Sequence, residues 1–126
     1  MNEKILIVDD EEDVVEVVEM LLKVENYTVL KAYDGEEGLK KALEETPDLV
    51  ILDIMMPKMD GVEACKKMRE LENMKETPIV MFSAKMSTID KKESFDAGAD
   101  GFITKPFNAK GFLSGIKTYL ELGRMN

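Results

Sequence analysis

Four consecutive large aliphatic residues, Leu49-Val50-Ile51-Leu52, run straight into a carboxylate, Asp53. No polar residue alternates with them, so a strand built here has no face to give to water. Residues Ile5 to Val8 have the same character and run into five acids, Asp9 to Asp13. Strands apolar on both faces belong inside a parallel sheet covered by helices on each side. That constrains this chain more than any other feature of its sequence.

The remaining segments fit such a sheet. A strand is expected over 4–8. The following helix has Asp10 as its N-cap, with Val14, Val17, Val18 and Leu21 on its inner face and Val15 and Leu22 widening the stripe. A second strand spans 27–32, and Asp34-Gly35 caps a helix over 36–45 with Leu39, Ala42 and Leu43 inward. The third strand spans 48–53, and Asp60 caps a helix carrying Val62, Cys65 and Met68 inward. A fourth strand over 77–83 ends on Ser83, and a helix follows over 88–97. A short fifth strand over 102–104 ends in Lys105-Pro106, and the last helix spans 108–120. Five strand–helix units with short connections make one α/β domain, and right-handed crossovers leave few ways to connect it.

Composition narrows the chemistry. The chain has 126 residues, a formal net charge of −9 and no histidine. The acidity disfavours direct nucleic-acid binding, and the lack of histidine removes Ser-His-Asp catalysis and imidazole zinc sites. No apolar run approaches the ~20 residues of a membrane span, so no membrane insertion is expected. With no signal-peptide pattern at its start and a single cysteine, Cys65, the chain is expected to be cytoplasmic.

Parallel strands deliver their carboxyl ends to one edge of the sheet, where ligands of such folds bind. Asp9 and Asp10, Asp53, Ser83 and Lys105 all meet there. Gathered carboxylates repel and raise one another's pKa, and a hard divalent cation such as Mg²⁺ relieves this. Acids, a metal, an amine and a hydroxyl together suit phosphoryl chemistry, in which a carboxylate can itself be the nucleophile.

The stretches ILIVDD, DLVILDIMMPKMDG, PIVMFSA and GADGFITKPF, taken together, resemble the receiver domains of two-component response regulators, and the resemblance covers the whole chain. It implies a doubly wound (βα)5 flavodoxin-like fold with a parallel five-stranded sheet of order 2-1-3-4-5. It implies that Asp53 takes a phosphoryl group from a phosphohistidine on a partner, a sensor histidine kinase or phosphotransfer protein. It further implies that Asp9, Asp10, Asp53 and the backbone carbonyl of Met55 hold Mg²⁺, and that Lys105, with a cis bond to Pro106, contacts the phosphoryl oxygens. Ser83 and Phe102 match the switch pair that signals to the face of the fourth helix, fifth strand and last helix, where a downstream protein or effector domain binds. Val14 is expected to touch the kinase. On this reading residues 1–126 form a single receiver domain with no effector domain in the chain, either stand-alone or excised, and the protein is a signalling switch rather than an enzyme.

Two departures from the family pattern stand out. Gly111 and Gly115 occupy positions where many DNA-binding relatives carry an acid and an arginine, so the salt-bridged dimer of those relatives is not expected here. Met55 and Lys85 occupy positions that in the family flank the water attacking the phosphoryl group, and a methionine cannot orient that water by hydrogen bonding. The alternatives fit less well. A haloacid-dehalogenase-like phosphatase wants a second aspartate where Met55 stands, and a flavodoxin wants a Ser/Thr/Gly-rich phosphate loop where Asp9 to Asp13 stand.

Overall fold

The computed structural model describes residues 2–84 and 88–123. Its elements, in chain order, are β1 (Lys4–Val8), α1 (Glu12–Val24), β2 (Thr28–Ala32), α2 (Gly35–Glu45), β3 (Leu49–Asp53), α3 (Gly61–Arg69), a single 3-10 turn (Glu72–Met74), β4 (Ile79–Ser83), α4 (Thr88–Ala97), β5 (Gly101–Thr104) and α5 (Ala109–Leu122). The five strands are all parallel, in the expected order β2-β1-β3-β4-β5.

Strand side chains alternate between two cores, as the two-residue period of a pleated strand requires. Ile5, Ile7, Leu49, Ile51, Val80 and Phe82 pack with Val15, Val18 and Leu22 of α1 and with Phe112 and Ile116 of α5. Leu6, Val8, Val50, Leu52 and Met81 face the other way, onto Ala42 of α2 and Ala64, Cys65 and Met68 of α3. Every residue of β3 and β4 is buried. This is what their lack of alternating polarity requires.

Three helix starts follow from their caps. Asp34 accepts from the Glu37 N–H at 2.8 Å, Asp60 from Glu63 at 2.9 Å and Asn108 from Gly111 at 2.6 Å, each satisfying an otherwise unpaired first-turn donor. The expectation for α1 is corrected. Its N-cap position is Glu11, with no side-chain cap, and not Asp10. The Asp10 carboxylate instead gathers with Asp9 and Asp53, and the Glu11 N–H is bonded by Asp9 at 3.0 Å.

Two inner faces are also corrected. In α1 the buried line is Val15, Val18 and Leu22, while Val17 is exposed. In α2 the buried residues are Gly35, Gly38 and Ala42, and Leu43 points outward. The cause in α2 is close approach. A Cβ on Gly38 would lie 2.9 Å from Val8 Cγ2, so the helix lies on β1 through its small residues, with Leu39 partly buried against the core as expected and Leu43 turned outward. Strand starts differ from the sequence reading by a residue or two, and Asp48 is paired outside the ladder, its carboxylate accepting from the Lys4 N–H at 2.7 Å.

One side chain that sequence reasoning passed over joins several elements. Arg69, at the end of α3, donates from Nε to the Gly98 carbonyl at 2.9 Å, from Nη1 to the Met74 carbonyl at 2.7 Å, and from Nη2 to Asp100 at 2.5 Å. Asp100 in turn accepts from the Ile79 N–H at 2.9 Å. The pair is almost wholly buried, and charges this deep are tolerated because the other guanidinium donors reach backbone carbonyls and the carboxylate accepts a second hydrogen bond.

Glycine substitutions read this packing with opposite signs. A Cβ on Gly61 would fall 2.2 Å from the Asp53 carbonyl oxygen and 2.7 Å from Ile54 Cα, both backbone atoms that cannot swing away. Gly61→Ala is therefore expected to cost roughly 1–3 kcal/mol. On Gly115, inside α5, the nearest atom is Ile103 Cδ1 at 4.0 Å, so Gly115→Ala is expected to gain about 0.5–1 kcal/mol of helix propensity. Urea unfolding midpoints check both. An unchanged midpoint for Gly61→Ala would contradict this account of the loop.

Candidate functional site: an acidic pocket at the carboxyl edge of the sheet

Because β1, β3, β4 and β5 run parallel, the residues ending them share one edge. Asp9 is fully buried, Asp53 is 3% exposed and Ser83 is 4% exposed. One carboxylate oxygen from each of Asp9, Asp10 and Asp53 lies within 4.8 Å of the others, with Asp10 on the solvent side. Ser83 closes β4 opposite Thr104 of β5, and its carbonyl accepts from the Lys105 N–H at 2.8 Å. The Lys105–Pro106 peptide bond is cis.

The Lys105 ammonium enters the middle of this group. It lies 2.8 Å from Asp9 Oδ2, 3.5 Å from Asp53 Oδ1 and 3.6 Å from Glu11 Oε1, over the Phe82 ring at 4.8 Å from its centroid. Burial works to lower its pKa, but the hydrogen bond to Asp9 and the charges of Asp53, Asp9 and Glu11 outweigh burial and raise it. Lysine here is a fixed cation.

Asp53 is under the opposite pressure. Burial first, and then the charge of Asp9, push its carboxyl up to about 7, with Asp10 adding to the rise, while Lys105 and the backbone N–H of Met55 oppose it. One ammonium does not balance the carboxylates around it. The donor set is all hard oxygen, it is crowded, and it is short of positive charge. Those properties fit a small divalent cation such as Mg²⁺.

The structure brings Asp9, Asp10, Asp53, Ser83 and Lys105 to this edge, and Met55 reaches it through the N–H that bonds Asp53. The Met55 side chain is 76% exposed. Phe102 is not in the acidic group. It sits on β5 opposite Met81, half-buried against the core beneath α2 and α3, and meets the exposed ring of Phe95 edge-on, centroids 4.7 Å apart at 84°. Lys85 lies outside the described residues. Val14 lines a mostly apolar groove of about 440 Å³ with Val17, Ala84, Pro106 and Phe107, and the charged residues Asp13 and Lys105 also line it.

Two features of this edge are not marked in the sequence. Glu11 also faces Lys105. The groove depends on residues from α1 and from the turns after β4 and β5, and no local pattern marks them as neighbours.

Comparison with known families matches residues 5–117 to the response regulator receiver domain. Among curated proteins, the alkaline phosphatase synthesis transcriptional regulatory protein PhoP of Bacillus subtilis (strain 168) is 46% identical over 121 residues, covering 96% of this chain and 50% of that protein. The chain thus spans about half the length of that relative. Among solved structures, the Vibrio cholerae chemotaxis protein CheY4 is similar with a TM-score of 0.91 and 36% identity, over 94% of this chain and 98% of that one. The receiver domain of the sensor histidine kinase PA1611 from Pseudomonas aeruginosa PAO1, which has a magnesium ion coordinated in its active site cleft, gives a TM-score of 0.88 at 25% identity, over 96% of this chain and 99% of that one. None of this supports the dehalogenase-like phosphatase alternative.

The charge imbalance predicts the stability of variants. In protein kept free of divalent cations, Asp53→Asn removes a buried negative charge from beside Asp9 and is expected to stabilise the fold by on the order of 2 kcal/mol. Lys105→Ala leaves Asp9 buried without its cation and is expected to cost about 3–5 kcal/mol. Thermal unfolding with and without Mg²⁺ checks the account. Mg²⁺ should raise the midpoint of the unaltered protein and have much less effect on Asp53→Asn. Equal shifts in the two would contradict a metal held by Asp53.

Proposed function

This chain belongs to the response regulator receiver domain family, and on that premise we propose that Asp53 is its phosphoacceptor, taking a phosphoryl group from a phosphohistidine on a histidine kinase or phosphotransfer protein. The observation that carries the reading is the position of Asp53. It is the buried carboxylate bonded by the Met55 N–H and facing Lys105, and it sits where acids and a cation converge.

Asp10, Asp9, Asp53 and the Met55 carbonyl would hold Mg²⁺, which when bound neutralises charge on the transferring phosphoryl oxygens. The chain's own residues do the rest. An oxygen of Asp53 forms a bond to phosphorus as the bond to the donor imidazole nitrogen breaks. Lys105, already held by Asp9 at 2.8 Å, lies near enough to Asp53 to pair with the new dianion. The Ser83 hydroxyl, at the end of the neighbouring strand, supplies a hydrogen bond to a phosphoryl oxygen. Movement of Ser83 toward the phosphoryl group is coupled to Phe102, whose ring against Phe95 links β5 to α4. That link makes the face of α4, β5 and α5 the surface read by a downstream protein or effector domain. The phosphoryl group must favour the active arrangement by several kcal/mol to reverse a mostly inactive population.

The groove along Val14, Val17, Pro106 and Phe107 opens beside this site, and its apolar lining suits a helix of the phosphodonor protein. The reaction is self-catalysed by the receiver, and its outcome is a signal and not a released product. Hydrolysis of the acyl phosphate by water ends the signal. The thioether of Met55 is a poor hydrogen-bond partner for that water, so the phosphorylated state is expected to be long-lived.

Incubation with acetyl phosphate and Mg²⁺, followed by intact mass measurement, should add one phosphoryl group to the unaltered chain and none to Asp53→Ala. A phosphoryl group that survives the alanine substitution would overturn the assignment. Met55→Asn should shorten the half-life of the acyl phosphate severalfold, measured by loss of the added mass over time. An unchanged half-life would remove Met55 from the account.

A further inference from the structure

Seven methionines fall within the described residues, and their burial separates them. Met68, Met74 and Met81 are fully enclosed, Met56 is 7% exposed, and Met59 is half-buried against the core. Only Met20, on the outer face of α1, and Met55 are open to solvent, at 66% and 76%. Met55 and Met56 are adjacent in the chain and have opposite fates. Met56 packs in the core with residues of α3, while Met55 is left mostly to solvent.

Met55 is also tied to the acidic pocket. Its N–H bonds the Asp53 carboxylate, so its side chain leaves the backbone at the rim of a site whose central acid is itself 3% exposed. The exposed carboxylate of Asp10 and the exposed Met55, next but one to Asp53 in the chain, mark the side on which this site meets solvent. A thioether there is a weak acceptor. A sulfoxide there is a strong one.

We infer that Met55 is a modification site for peroxide and that its sulfoxide shortens the life of the phosphorylated state. The sulfur attacks one oxygen of hydrogen peroxide. A sulfur–oxygen bond forms, the oxygen–oxygen bond breaks, the sulfur loses two electrons, and the second peroxide oxygen leaves as water. The product is chiral and polar, and methionine sulfoxide reductases return it to the thioether. The new oxygen accepts a hydrogen bond from water approaching Asp53 and holds it in place. The device gives an oxidant a reversible means of ending a signal at the site where the signal is carried. The inference rests on the function proposed for Asp53, because the lifetime it alters is that of the Asp53 phosphoryl group.

The test uses the full chain, phosphorylated with acetyl phosphate and then exposed to hydrogen peroxide, beside an unexposed sample. Peptide mass mapping reads oxidation at Met55 and Met20, and intact mass reads the phosphoryl half-life. Sulfoxide at Met55 should accompany a half-life shortened by about fivefold, as expected for one added hydrogen bond in the transition state. Met20→Leu should respond in the same way, Met55→Leu should lose the peroxide response, and reductase treatment should restore the original half-life. Met55 left reduced under conditions that oxidise Met20 would overturn the inference, as would Met55 sulfoxide with an unchanged half-life. If the unexposed sample takes no phosphoryl group, the function proposed for Asp53 has failed first, and the two failures are thereby told apart.

Discussion

The Lys105 ammonium stands between the carboxylates of Asp9 and Asp53, 2.8 Å from one and 3.5 Å from the other. Asp9 is fully buried and Asp53 nearly so, and neither could remain at that depth as an uncompensated charge without a large penalty. The three groups come from the ends of β1, β3 and β5, so the pocket exists only while those strands hold their order and register. The parallel ladder is therefore more than a scaffold. It sets the distance between charges whose mutual repulsion and single shared cation define the chemistry.

The fold holds that geometry with short-range devices on both layers. Small residues bring α2 against β1, Gly61 lets α3 begin against the backbone of Asp53 and Ile54, and Arg69 binds the ends of α3 and α4 to the start of β4 through Asp100. Each fixes an element that carries a strand end or a loop of the pocket. The proposed function makes use of the imbalance left at the centre. On that proposal, a site already neutral would gain little from a metal, and one without Lys105 would hold a phosphoryl dianion poorly.

Much of this was legible in the chain. The unbroken aliphatic runs Ile5–Val8 and Leu49–Leu52 require strands buried on both faces. The caps Asp34 and Asp60 mark helix starts, and the alternation of strands with helices makes the sheet parallel. From that alone, Asp9, Asp10, Asp53, Ser83 and Lys105 had to share an edge. The misread helix faces arise where a hydrophobic stripe leaves the rotation of a helix open. A helical stripe of Val14, Val17, Val18 and Leu21 is consistent with more than one rotation about the helix axis, and the contact made by α1 chose Val15, Val18 and Leu22. In α2 the closest approach is made by Gly35, Gly38 and Ala42, so a hydrophobicity pattern that found Leu39 and Ala42 also took in Leu43, which faces solvent.

The sequence by itself thus determined the class of fold, the residues that end each strand and the kind of chemistry their side chains can perform. Chain connectivity and side-chain type settle these, and neither depends on distance. The tertiary structure decided how those groups meet. It placed Lys105 against Asp9 more closely than against Asp53, turned Met55 outward and Met56 inward, set Phe102 against Phe95 outside the acidic group, and opened the groove between α1 and the turn after β5. These depend on packing between segments far apart in sequence, where a rotation of one residue exchanges a buried side chain for an exposed one.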